Sequence, residues 1–202
     1  MALRRLVLIR HGETEGESSV RFHGSCDVDL SQEGRARMRQ IGAELRHQPV
    51  DLFVASDRRR SWRGAMLVGR GRPVRLEADL REIHFGRWEG LTREEIQARD
   101  PVLYEDWQSG AEGFEYPGGE LRSAFRERVA RGLQRILASP GHTAVCVLHK
   151  GVIREIVHQL SGELLAPGRP ELGESIVLTR QPEDGWIRGQ RSSNPPCLCQ
   201  AA

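Results

Sequence analysis

The sequence predicts an α/β fold: a three-layer sandwich with a mostly parallel central sheet and helices on both faces. Three observations lead to it. Short runs rich in Val, Leu and Ile alternate along the chain with longer stretches of helical period. The first run, residues 3–9, is compact and rich in Val, Leu and Ile, consistent with a buried strand. Helix-start signals stand between the runs, Ser31 ahead of one periodic stretch and Thr92-Arg93-Glu94-Glu95 ahead of another.

In chain order, residues 3–9 read as the first strand and residues 21–30 as a loop without helical period. Ser31 caps a helix reaching about His47, with Met38, Ile41 and Leu45 on one face. Residues 51–55 form the next strand, ended by Ser56-Asp57, and residues 58–70 the next helix. Residues 73–80 read as extended, and the capping-box spacing at Thr92 starts a short helix to about Arg99. Residues 107–119, which end in Pro117-Gly118-Gly119, read as a loop. Residues 120–138 make a strong amphipathic helix through Leu121, Phe125, Val129, Leu133 and Ile136. A strand at 143–148, a helix at 152–160 and closing strands at 175–179 and 186–188 complete the pattern. The expected organisation is one catalytic domain over residues 1–190 and a loose polar tail over 191–202.

Composition narrows the function. The 30 basic and 28 acidic side chains nearly cancel, so the chain lacks the cationic surplus of a general nucleic-acid binder. The apolar run of residues 6–9 stops at Arg10, too short for a signal core or a membrane span. Cys26, Cys146, Cys197 and Cys199 do not make a disulfide framework, and a cytoplasmic protein with free thiols is expected. Cys197 and Cys199 have no second pair at ligand spacing, so no metal site is read from them.

Ligands of open α/β sheets bind outside the carboxyl ends of the strands. Three such ends carry residues suited to phosphate: Arg10-His11-Gly12, Arg58-Arg59-Arg60 and His149-Lys150-Gly151, the last directly before a helix whose free N–H groups favour an anion. Arg10 and Arg60 offer planar forks for phosphoryl oxygens. A neutral imidazole attacks phosphorus, and a second, protonated one stabilises the charge that develops. The departing alkoxide needs a proton, for which Glu82 in Leu80-Arg81-Glu82-Ile83-His84-Phe85-Gly86 is the candidate. Each of these residues also has a plainer reading: a strand-end histidine that caps a turn, a solvated arginine face, a surface carboxylate.

Taken together the segments resemble the histidine phosphatase superfamily, which includes cofactor-dependent phosphoglycerate mutases and many phosphatases. The resemblance rests on Arg10-His11-Gly12-Glu13-Thr14, on Arg21-Phe22-His23-Gly24 with Asp27, Leu30 and Gly34, and on Ser56 with Arg60 and Ala65. Leu80-x-Glu82-x-x-x-Gly86-x-x-Glu89-Gly90, Pro117-Gly118-Gly119-Glu120 and His149-x-Gly151-Val152-Ile153-Arg154 continue it in order, over roughly residues 3–180. It implies His11 as the phosphorylated nucleophile, Arg10, Arg60 and His149 as its phosphate pocket, and Glu82 as general acid and later base, with no metal or other cofactor. Glu17, Arg21, His23, Gly24, Lys150 and Gly151 are expected around a small phosphomonoester substrate. Glu13 is expected to orient an arginine.

The chain departs from the family pattern in three places. Gly16-Glu17 stands where Trp-Asn is usual, Arg60-Ser61-Trp62-Arg63-Gly64-Ala65 replaces Arg-Ala-x-x-Thr-Ala, and Lys150 replaces a Gly. A carboxylate at Glu17 beside a dianion is repulsive unless it is paired, protonated or turned away. The short stretch between Glu82 and His149 favours a phosphatase over a mutase, since a mutase must enclose its ligand and exclude water. A phosphate-binding protein without turnover is the alternative from another class. No nucleic-acid or membrane partner is expected, and the oligomeric state stays open, a homodimer included.

Overall fold

The structure, a computed structural model, describes residues 3–181 and 185–189. The expected tail at 191–202, with Cys197 and Cys199, lies outside the described residues. Six strands, β1 (Arg5–Arg10), β2 (Leu52–Ala55), β3 (Val74–Leu76), β4 (Thr143–Leu148), β5 (Ser175–Gln181) and β6 (Gly185–Arg188), form one sheet in the order β3-β2-β4-β1-β5-β6. β1 and β2 both pair parallel with β4, and β2 with β3, whereas β5 runs antiparallel to β1 and β6.

Successive side chains of a strand point to opposite faces, and the central strands are apolar on both. From β1, Leu6 and Leu8 join one core, and Val7 and Ile9 join the other. From β4, Ala144, Cys146 and Leu148 face the first core and Val145 and Val147 the second. Cys146 is a buried free thiol, its pKa pushed up to about 12 by burial, so it serves as a small apolar residue there.

Helices α1 (Gln32–Glu44) and α2 (Arg59–Gly69) cover the second core, through Met38, Ile41, Ala65 and Val68. Helices α5 (Arg122–Leu137) and α6 (Lys150–Ser161) cover the first, through Phe125, Val129, Leu133, Val152, Ile153, Ile156 and Val157. This is the three-layer sandwich read from the alternation of elements. Ser31 Oγ accepts the Gly34 amide at 3.0 Å and caps α1 as expected, a contact worth about 1 kcal/mol. The capping box of Thr92 and Glu95 opens α3 (Arg93–Arg99).

Two stretches differ from the sequence expectation. Residues 73–80 are extended only over β3, after which Ala78–Leu80 turns as a short 3-10 helix. The expected loop at 107–119 is shorter, because Pro101–Ser109 forms a further helix, α4. Pro101 at its first turn is pre-set for a helix start, but over nine residues the apolar positions Val102, Leu103, Tyr104 and Trp107 give only a faint helical period. Together α3, α4 and the following loop enclose a third cluster of Trp88, Ile96, Tyr104 and Phe114, against which Phe22, Phe85, Trp107 and Tyr116 pack. The tryptophans here are packing residues: Trp88 is fully buried and donates Nε1–H to Asp100 at 2.9 Å.

Candidate active site

The carboxyl ends of β1, β2 and β4 lie side by side, and they deliver His11, Ser56 and His149 to one place. The two imidazole centroids are 5.3 Å apart at an interplanar angle of 66°. Both rings are buried, as are Arg60 and Glu82. His11, Arg60 and His149 thus follow strands whose ends are neighbours in the sheet, and Glu82, from the segment after Ala78–Leu80, meets the first turn of α6 beside them.

His11 makes one decisive contact: Nδ1 lies 2.8 Å from the Gly12 carbonyl oxygen. A carbonyl only accepts, so Nδ1 carries the proton and Nε2 keeps a lone pair. Burial first, then the charges of Arg60 and Arg10, holds the ring's pKa well below its ordinary value. His11 is therefore a neutral imidazole with a defined basic nitrogen.

His149 Nε2 lies 2.7 Å from Ser56 Oγ, while its Nδ1 is buried with no partner among the described residues. Burial, then Arg60, His11, Arg58 and Arg10, pushes its pKa well down. The sequence reading expected a protonated second imidazole. Among these cations the ring is neutral in the free site, and only an arriving anion reverses the balance.

The two arginines are partly committed. Arg60 donates through Nη1 to the Cys26 carbonyl at 2.7 Å and through Nη2 to those of His23 and Gly24 at 2.7 and 3.1 Å. Arg10 donates to the carbonyls of Pro170 at 3.0 Å and Ser18 at 3.3 Å. In both, Nε remains buried and unpartnered. Burial lowers Arg60 to about 10, which leaves it cationic at neutral pH. Among the described residues seven buried side-chain nitrogens lack a partner, and five belong to Arg10, His23, Arg58, Arg60 and His149. Buried donors are normally satisfied, so this concentration marks where a polar ligand fits.

Glu82 is held from two sides. Its carboxylate accepts the Gly151 amide at 3.0 Å and its own neighbour's, Ile83, at 3.1 Å. A Cβ at Gly151 would run into that carboxylate, so the first turn of α6 must be bare there. From below, Arg128 of α5 donates to the carbonyls of Asp79, Arg81 and Glu82 at 2.8, 2.6 and 3.0 Å, and is itself anchored by Glu120.

The remaining expected residues divide. His23 and Gly24 support the pocket through their carbonyls on Arg60, and His23 Nε2–H donates to the Gly16 carbonyl. Lys150 opens α6 directly after His149, half-buried, its pKa lowered to about 8 by burial and then by Arg10, Arg93 and Arg154. Glu17 takes a left-handed backbone at φ 58° and pairs with Arg21 at 3.2 Å. Arg21 also donates to the Gly90 carbonyl at 2.8 Å and to Glu95 at 2.9 Å. The exposed Glu17 is thereby paired with a cation, and Arg21 ties the first loop to α3. Glu13 orients backbone rather than an arginine, accepting the amides of Thr14 at 2.7 Å and Ser19 at 3.2 Å.

Residue-by-residue reading undervalued three side chains. Ser56 orients His149. Arg128 carries the acid-bearing segment. Glu89 accepts the amides of Ser25 at 2.8 Å, Phe85 at 3.0 Å, Gly24 at 3.1 Å and Cys26 at 3.4 Å. The loop at 23–26 is thus gripped by an anion on its N–H side and by Arg60 on its C=O side. Gly24 is buried at the centre of that grip, where a Cβ would overlap the Ile83 carbonyl.

Comparison with known proteins gives the family. The sequence profile of the histidine phosphatase superfamily (branch 1) matches residues 6–177. The glucosyl-3-phosphoglycerate phosphatase of Mycolicibacterium vanbaalenii is 33% identical over 172 residues, spanning 80% of this chain and 76% of the relative. The adenosylcobalamin/alpha-ribazole phosphatase of Salmonella typhimurium is 31% identical over 159 residues, 77% of this chain and 79% of that one. Among solved structures, mycobacterial glucosyl-3-phosphoglycerate phosphatase superposes with a TM-score of 0.78 at 29% identity, over 92% of this chain and 97% of the other. The alpha-ribazole phosphatase of Shigella flexneri gives 0.76 at 26%, over 91% and 94%. With the profile spanning most of the chain, this protein belongs to the histidine phosphatase superfamily.

Proposed function

We propose that this protein is a phosphomonoesterase that hydrolyses a small phosphorylated metabolite through a phosphohistidine on His11. The observation that carries the reading is the His11 Nδ1–H bond to the Gly12 carbonyl, because it leaves Nε2 as a neutral nucleophile inside an arginine-lined pocket. The relatives named above are phosphatases of small phosphorylated metabolites.

In the first step the Nε2 lone pair of His11 forms the N–P bond as the ester P–O bond breaks. The departing alkoxide takes the proton of Glu82. The unpartnered Nε–H groups of Arg10 and Arg60 face the phosphoryl oxygens, and His149, protonated as the dianion enters, donates Nδ1–H. In the second step the Glu82 carboxylate removes a proton from water, whose oxygen attacks phosphorus as the N–P bond breaks. Inorganic phosphate departs and His11 returns to its neutral form. Each step runs on side chains, without a metal. Lys150 and Gly151 border the substrate, His23 and Gly24 shape the Arg60 pocket, and the Glu17–Arg21 pair closes the outer wall. A single domain over residues 1–190, acting in the cytoplasm, fits this reading. No described helix is long and apolar enough to cross a membrane.

The test is release of phosphate from 4-nitrophenyl phosphate in EDTA by the protein and by His11→Ala. Turnover that needs a metal, or that survives the substitution, would sink the reading. An acid-labile, base-stable phosphoenzyme is expected on rapid quench. Interconversion of phosphoglycerates without net hydrolysis would replace phosphatase by mutase.

A further inference from the structure

Arg10 has two of its three guanidinium nitrogens engaged by the protein. Nη1 donates to the Pro170 carbonyl at 3.0 Å and Nη2 to that of Ser18 at 3.3 Å, which leaves Nε buried and unpartnered. Ser18 is near in sequence. Pro170 belongs to residues 162–174, the connection from α6 to β5, which contains no helix or strand. Without a ladder of its own, such a segment takes its shape from other contacts.

Two charged residues supply them. Arg154, on α6, donates through Nη1 to the carbonyls of Ala166 and Arg169, each at 3.0 Å, and Arg169 immediately precedes Pro170. The buried Glu174 accepts the Glu171 amide at 2.7 Å and pairs with the Arg169 side chain. A cation thus holds carbonyls ahead of Pro170 and an anion holds the amide after it. Arg60 and Glu89 grip the loop at 23–26 in the same manner. The last residues latch onto the end of β1: the Arg10 amide donates to the Glu174 carbonyl at 3.0 Å, and the Gly173 amide to the carbonyls of Arg10 and His11 at 3.1 and 3.2 Å. Helix α6 therefore attaches to the site at three places: His149 at its N-cap, the Gly151 amide on Glu82, and Arg154 about one turn further on.

We propose that Arg154 and Glu174 are positioning residues for Arg10: by fixing the Pro170 carbonyl they hold Nη1 to the protein and keep Nε–H for a phosphoryl oxygen. Both act through Arg10 and not on the substrate. This rests on the site binding phosphoryl groups, and it adds what aims one of the arginines that does so.

The test is a double-mutant cycle. The unaltered protein, Arg154→Met, Arg10→Met and the two substitutions combined are compared in kcat/KM for 4-nitrophenyl phosphate and in Kd for orthovanadate by calorimetry. Arg154→Met is expected to lower kcat/KM and vanadate affinity about tenfold, but by no more than about twofold once Arg10 is replaced. Glu174→Gln should follow the same pattern. Arg154→Lys should restore part of the loss, since both bonds come from one nitrogen and an ammonium can also donate to two carbonyls. In the ligand-free protein the Nε–H proton resonance of Arg10, identified by its disappearance in Arg10→Met, is expected to shift in Arg154→Met. An unmoved resonance overturns the proposal. So does a loss of the same factor with Arg10 present or replaced, which would show Arg154 acting on the fold or on the substrate directly. If Glu174→Gln does not fold, the Arg154 variants decide, because Arg154 is partly exposed. A shifted resonance and coupled loss of vanadate affinity in a protein without turnover would leave the proposal standing and remove the phosphatase reading. If orthovanadate does not bind and no ester is turned over, both fall.

Discussion

Ser56 Oγ lies 2.7 Å from His149 Nε2, and this contact decides which nitrogen of the second imidazole is engaged and which is left over. With Nε2 engaged, Nδ1 is the remaining ring nitrogen, and it has no partner among the described residues. Ser56→Ala is expected to lower kcat about tenfold by letting the ring turn. It should also cost about 1–3 kcal/mol of stability, since a buried nitrogen loses its partner. Steady-state kinetics beside a urea titration checks both. Unchanged kcat with lowered stability would reduce Ser56 to a packing residue.

Glu82→Gln tests the proton donor through the leaving group. Hydrolysis of an alkyl phosphate, whose alkoxide needs the proton, is expected to fall about a hundredfold or more. Hydrolysis of 4-nitrophenyl phosphate should fall no more than about tenfold. Gly151→Ala is expected to show the same pattern more weakly, because its Cβ would displace the Glu82 carboxylate.

Glu89→Gln puts an amide NH2 against amides that now donate to a carboxylate. The loop carrying the three carbonyls that orient Arg60 is then released. Affinity for orthovanadate, read by inhibition, is expected to drop about tenfold together with kcat/KM. Retained vanadate affinity would separate Glu89 from the Arg60 pocket.

The pH dependence follows from two buried imidazoles. Both have folded-state pKa values well below the unfolded value near 6.5. Below pH 6.5 the unfolded chain binds protons that the folded chain does not, so stability falls as pH drops and returns as it rises. Each ring contributes a slope of up to about 1.4 kcal/mol per pH unit in that window. Melting temperature should therefore fall from pH 7.5 to pH 5.5, and fall less in His149→Asn. Added phosphate should flatten the slope, because it favours the protonated His149. The acid limb of kcat/KM is expected below pH 6.5, since His11 stays neutral there.

The reach of the sequence differed between elements for physical reasons. Strands β1 and β4 were legible because burial on both faces demands uninterrupted apolar runs, and the caps at Ser31 and Thr92 because capping is local. Helix α4 was not, because it is only nine residues long and packs Leu103, Tyr104 and Trp107 on a small side cluster, which leaves a faint helical period in the sequence.

The site divides in the same way. His11, Arg60, Glu82 and His149 could be named from the sequence, since strand ends and short motifs locate them within their own segments. That Glu17 would pair with Arg21, that Glu89 would pin amides more than sixty residues away, and that Arg128 would carry the segment of Glu82 depended on tertiary contacts. A carboxylate or guanidinium carries no local mark of its partner. The chain by itself determined the layers and the candidate residues of the site. Only the folded structure decided which nitrogen of each imidazole is engaged by the protein, and which arginines keep N–H groups to spare, because both depend on where the surrounding groups are brought.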